Sequence, residues 1–136
     1  MSFTLDARLA ADTLVIGDLG LSQALLMNDA RYPWVILVPR RPQLVELTDL
    51  DLGERAVLTQ ELTQAADALL AWSGVEKINI GLLGNIVRQL HAHVVGRRAG
   101  DAAWPGPVWG AGAALAYEPA EADARLAWLR NKFGTG

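Results

Sequence analysis

The chain has 136 residues, 51% hydrophobic and 20% charged, with a formal net charge of −3 and no cysteine. That length suits one domain able to bury a core without staples, and the composition excludes a disordered chain. The missing cysteines exclude disulfides and thiolate metal sites, and the acidic balance gives no global reason to expect a nucleic-acid partner.

The start, Met1-Ser2-Phe3-Thr4-Leu5-Asp6, has no basic stretch followed by an apolar one, so no signal peptide is expected. The apolar runs are far shorter than the roughly 18 residues of a spanning helix, so no membrane is expected either. A cytoplasmic protein agrees with both. Without repeats, linkers or low-complexity stretches, residues 1–136 read as a single domain.

Leu5 to Ala11 predicts a short helix, with Leu5 and Leu9 on one face. Thr13 to Leu19 and Leu21 to Asn28 predict two strands split at Gly20. Asn28 to Pro33 is a turn by composition. Trp34 to Val38 is apolar on both faces, as a buried central strand should be, and Pro39 and Pro42 end it. A long helix is expected from about Asp49 to Trp72, with Leu58, Leu62, Ala65, Ala66 and Leu69 on its buried face. Thr48 or Asp49 would cap it, and Gly74 follows it. Lys77 to Leu83 and Val87 to Val95 predict two more strands, and the short loop at Gly84-Asn85 favours a hairpin. Gly96 to Gly112, rich in Gly, Pro and Trp, should be irregular. A last helix begins near Pro119 and buries Ala122, Leu126, Leu129 and Phe133. Strands joined by tight turns around one long helix imply an α+β domain with an antiparallel sheet. The helix covers one sheet face, and the other must be covered, solvated or used.

The two histidines, His91 and His93, are two positions apart. In a strand Gln89, His91 and His93 would share one face, and Leu90, Ala92 and Val94 the opposite, apolar one. Such a pair suits a half-buried strand with solvated histidines or a metal pair. A third metal ligand is missing nearby, since Asp29 or Asp101 would have to be brought in by the fold.

The run Gly84-Asn85-Ile86-Val87-Arg88-Gln89-Leu90-His91-Ala92-His93-Val94-Val95-Gly96-Arg97 resembles the signature of the histidine-triad (HIT) family, His-φ-His-φ-His-φ-φ with φ apolar. The order of elements from about Thr13 to Trp109 is also similar. With Gln in the first motif position and the run Asp101-Ala102-Ala103-Trp104-Pro105, the chain looks closest to bacterial members described as diadenosine tetraphosphate hydrolases. The resemblance implies a five-stranded antiparallel sheet with one long helix and a C-terminal helix. It also implies a homodimer, a nucleotide or dinucleoside polyphosphate substrate, and no cofactor or metal. It makes His91 the nucleophile that forms a nucleotidyl-histidine intermediate, with His93 and Gln89 completing the catalytic set. A neutral imidazole is nucleophilic near neutral pH, and a backbone carbonyl in the strand would fix its tautomer. His93, once protonated, would place positive charge against the phosphate oxygens.

By the same resemblance Asn28 binds ribose, and Asn79 and Asn85 contact phosphate. Arg97, directly after the motif strand, is the candidate to receive distal phosphates, with Arg40, Arg41 and Arg98 as further basic candidates. Leu19, Leu26 and Ile36 are candidates for a base pocket. Three positions depart from the pattern: Gln89 replaces the first histidine, Trp34 stands where many members carry a fourth, and Ile86 stands where a hydroxyl is common. The alternative is therefore a nucleotide-binding module with weak catalysis. The Trp104 to Gly110 loop reads either as a wall of the substrate site or, more simply, as a loop pinned by its tryptophans.

Overall fold

The computed structural model describes residues 2–135. A short helix α1 (Ala7–Asp12) leads into β1 (Thr13–Asp18), β2 (Ser22–Met27) and β3 (Trp34–Pro39). The long helix α2 (Leu52–Leu70) follows, then β4 (Lys77–Gly81), β5 (Ala92–Arg97) and α3 (Pro119–Phe133). The five strands form one antiparallel sheet in the order β1-β2-β3-β5-β4. The α+β class, the five-stranded sheet and the C-terminal helix are as the sequence predicts.

Two apolar layers sandwich the sheet. On one side Val35, Leu37 and Val94 pack against Ala65 and Leu69 of α2 and Leu126 and Leu129 of α3. On the other side Trp34, Ile36, Val38 and Val95 are covered by Phe3, Leu5, Leu9, Val108 and Trp109. All of β3 is buried, which is why its sequence shows no polar alternation. The second face is thus covered by the N-terminal segment and the loop after β5. Leu26 and Ile36 lie on opposite faces, and Leu19 packs on the helix side, so the three do not line a common base pocket.

Local signals set the helix ends. Asp51 accepts from the Glu54 amide and Glu54 from the Asp51 amide, a reciprocal cap at the start of α2. Asp49, expected at that cap, instead closes a 3-10 turn over Leu47–Asp49. Buried Glu61 reaches from α2 to accept from the amides of Leu21 and Ser22, fastening the helix to the β1–β2 turn. In α3, Pro119 opens the helix and Gly134 ends it at φ 69°, and the four predicted core residues are all buried.

One strand is shorter than expected. The predicted strand from Val87 begins only at Ala92. Residues 82–91 form an irregular approach in which the Leu90 amide donates to the Leu44 carbonyl. β4 and β5 are still antiparallel neighbours. Among the described residues no helix is long and apolar enough to cross a membrane.

Candidate functional site on the histidine strand

His93 is the second residue of β5, with Ile36 beside it on β3 and Gly81 on β4. His91 directly precedes the strand. Their rings meet edge to face with centroids 4.8 Å apart, and they are only 6% and 7% exposed. The predicted shared face therefore holds for the two histidines.

Each imidazole is fixed by one hydrogen bond. Nδ1 of His91 lies 2.7 Å from the Gln89 carbonyl oxygen. A carbonyl only accepts, so Nδ1 carries the proton, and in the neutral ring Nε2 keeps its lone pair. His93 is the reverse case: the Trp34 indole donates from Nε1 to His93 Nδ1 at 3.1 Å. An indole only donates, so the proton of neutral His93 sits on Nε2. The neighbouring rings thus present a lone pair from one Nε2 and an N–H from the other.

Burial, and second the charge of His91, push the His93 pKa down to about 3. Protonating His93 would also cost its bond from Trp34. The expected positive charge on His93 is therefore corrected: this ring is a neutral hydrogen-bond donor. Trp34, read from the sequence as a strand residue in place of a histidine, supplies its orientation. Trp109 closes the far side, its ring centroid 5.4 Å from that of His93. It sits directly over Gly81, where an added Cβ would come within 2.8 Å of the indole. The tryptophan loop is pinned to the domain, and the pin touches the histidine pair.

Gln89 takes a different part from the one expected. Its Oε1 accepts from the Asp6 amide at 2.8 Å and its Nε2 donates to the Thr4 carbonyl at 2.9 Å. The side chain clamps the N-terminal segment, and only its backbone carbonyl serves His91. A cleft of about 150 Å³ between Val45–Leu47 and Leu82–Gly84 reaches Gln89 and His91.

The structure separates the predicted nucleotide contacts. Arg97 is 1% exposed. Its guanidinium makes two bonds to Asp101 and a third, from Nη1, to Asn79 Oδ1 at 2.8 Å. A phosphate-receiving Arg97 is therefore corrected: the group is buried and spent on internal partners. Asn79 keeps its amide N–H2, on the same sheet face as His93. Asn28 accepts from the Tyr117 amide through Oδ1, tying the end of β2 to the segment before α3. Asn85 lies exposed in the irregular approach beside Gly84. Arg40 donates to the Leu19 and Gly20 carbonyls, and Arg41 pairs with Glu54. Asp101 and Asp29, weighed as metal ligands, pair with Arg97 and Arg31. Among the described residues no group of three His, Cys, Asp or Glu could hold a metal.

The HIT domain family matches residues 8–100, the stretch that contains every strand and both histidines. The chain belongs to the HIT family. Proteins of this family generally bind nucleotides and act on them. The chain is similar to a histidine triad protein of Bradyrhizobium japonicum, with 47% identity over 98% of this chain and 99% of the other and a TM-score of 0.94. It is similar to one of Sinorhizobium meliloti, with 51% identity over 96% of both chains and a TM-score of 0.93. A third, from Marinobacter aquaeolei, shares 39% identity over 98% of both, with a TM-score of 0.95. No curated protein matches the chain.

Proposed function

We propose that this HIT-family chain cleaves nucleotide phosphoanhydrides or phosphoramidates, such as dinucleoside polyphosphates, through a nucleotidyl-histidine intermediate on His91. The observation that carries the reading is the bond from His91 Nδ1 to the Gln89 carbonyl, which leaves Nε2 as the nucleophilic atom. Nε2 attacks the α-phosphorus, an Nε2–P bond forms, and the bond to the leaving group breaks, a phosphate oxygen departing with the electron pair and a phosphoramidate nitrogen departing as the amine after taking a proton from solvent. The substituted ring keeps its Nδ1 proton and is cationic, a form that the Gln89 carbonyl stabilises. Water or another acceptor then attacks phosphorus and releases its proton to solvent, the N–P bond breaks, and its electron pair returns to the imidazole. The neutral Nε2–H of His93 and the amides of Asn79 and Asn85 are the donors offered to phosphate oxygens, and Asn28 to the ribose.

The reading extends to a cytoplasmic homodimer of the diadenosine tetraphosphate hydrolase-like branch. The Gln in the first motif position supports the branch. Exposed Ile80, Leu82, Leu83 and Ile86 on and after the edge strand β4 support pairing with a second copy.

The test is brief exposure to dinucleoside polyphosphates and nucleoside phosphoramidates, followed by mass spectrometry. A nucleotidyl adduct on His91, and loss of turnover in a folded His91→Ala variant, are expected. Turnover undiminished in that variant would refute the assignment. One observation favours a second reading, a nucleotide-binding module with weak catalysis: both histidines are nearly buried, and the Gln89 side chain is spent on the N-terminal segment. Calorimetric nucleotide binding without turnover of any of these substrates would select it.

A further inference from the structure

His93 and Gly81 face each other across the pair of β5 with β4. Residues paired in this way ordinarily bring their side chains together, but glycine has none to offer. The room is filled from another part of the chain. A Cβ added at Gly81 would lie 2.8 Å from Cη2 and 3.1 Å from Cζ2 of Trp109. We propose that Trp109, seated on Gly81, is a positioning residue for the reaction at the histidine pair, holding the His93 ring in place against His91. The proposal rests on the nucleotidyl-transfer reading above, in which His93 donates to a phosphate oxygen.

Three observations support it. First, the His93 ring needs a lateral hold. Histidine χ2 is a soft, roughly twofold torsion, and the hydrogen bond from Trp34 to Nδ1 selects the tautomer. Three rings surround this imidazole, those of His91, Trp34 and Trp109, at centroid separations of 4.8, 5.7 and 5.4 Å. Trp34 lies on β3 and His91 directly before β5, so Trp109 is the one brought in by the loop after β5. Second, that loop is staked on both sides of the indole. Trp109 sits in a four-residue turn closed by the Ala111 amide on the Val108 carbonyl, with Gly110 at φ 79°, a conformation that favours glycine. Val108 is buried in the apolar layer, and Arg31, itself paired with Asp29, donates to the Ala111 carbonyl at 2.7 Å. Third, the buried Nε1 of Trp109 has no hydrogen-bond partner among the described residues. The ring is therefore located by packing, over Gly81, beside His93 and on the apolar layer.

The experiment compares Trp109→Leu, Trp109→Phe and Gly81→Ala with the parent, each as the full chain, by imidazole NMR and by turnover of dinucleoside polyphosphates. In Trp109→Leu the ring-proton shifts of His93 should move, while the bond from Trp34 leaves its tautomer unchanged. The exposed ring should also begin to titrate nearer the ordinary histidine value of about 6.5. In the parent, burial holds that pKa down at about 3. Gly81→Ala keeps the indole but displaces it, and should move the same ring-proton signals by a smaller amount. In Trp109→Leu, kcat should fall about tenfold or more with KM changed less than about threefold, and Trp109→Phe should recover most of the loss. A loop pin alone would lower the melting temperature and leave the His93 signals and the kcat of the folded protein where they are, and that result overturns the proposal. A parent chain that forms no adduct on His91 refutes the nucleotidyl-transfer reading and this proposal together. An adduct on His91 with unmoved His93 spectra in Trp109→Leu and Gly81→Ala refutes the positioning role alone.

Discussion

At the scale of single residues, Trp34 gives His93 its tautomer through one indole hydrogen bond. Trp34→Phe keeps an aromatic ring on β3 but removes the donor. It should cost about 1–3 kcal/mol, part from the lost bond and part from lost ring volume, and urea denaturation checks that. Imidazole nitrogen spectra should then show His93 divided between both tautomers, while His91 keeps its proton on Nδ1. An unchanged His93 spectrum would refute the orienting role. Arg97 and Asp101 make the second argument at this scale. Burial opposes charge on both groups, but their mutual hydrogen bonds hold the Arg97 pKa up and the Asp101 pKa down. Asp101→Asn leaves a cation buried beside a neutral amide and should cost about 3–5 kcal/mol. Replacing both by apolar residues, Arg97→Met with Asp101→Leu, should cost clearly less than the single change. Thermal melts of the two variants decide it.

At the scale of elements, the N-terminal segment depends on a side chain from the histidine motif. Gln89→Ala removes both bonds to Thr4 and Asp6. Global stability should fall by only about 1–2 kcal/mol, but hydrogen exchange over residues 4–10 should speed up far more than in α2. Equal protection there would show that Phe3, Leu5 and Leu9 hold the segment without Gln89. This contact also marks the limit of the sequence reading. The buried strand Trp34 to Val38, the α3 face and the histidine face were legible because each is a local pattern, a continuous apolar run in the first and a period in the other two. The true start of β5 was not. Gln89 to Val94 alternates like a strand, yet the Leu90 amide is taken by Leu44, more than forty residues earlier. The roles of Gln89 and Arg97 were misjudged for a related reason. Residue type announces a donor or acceptor, but partners such as Thr4 and Asp101 are set by tertiary approach. Trp34 was read as a loss because its hydrogen bond crosses between strands.

At the scale of the whole molecule, acid should unfold the chain earlier than its carboxylates alone would dictate. Folded His93 takes up a proton only near pH 3, whereas the unfolded residue does so at 6.5. Between those values the unfolded state holds more protons, so stability rises with pH. The contribution is complete above about pH 6.5 and is lost as the pH falls toward 3. Asp29 and Asp101, both lowered from 3.8, add a further loss at the acid end. For Asp29, burial opposes this, and the bonds from Arg31 and nearby amides outweigh it. Urea midpoints should drop between about pH 7 and about pH 4.5, and His93→Asn should flatten that interval. A midpoint equally steep in His93→Asn would assign the drop to other groups.

The strand order bears on how the site comes into being. β5 is the last strand in the chain, yet it lies between β3 and β4 rather than at an edge. The histidine strand is thus the keystone of the sheet, hydrogen-bonded on both flanks. Its imidazoles are aligned by the closure of the whole architecture and not by a local hairpin. His93, paired on both flanks, is therefore lost only when the sheet itself opens.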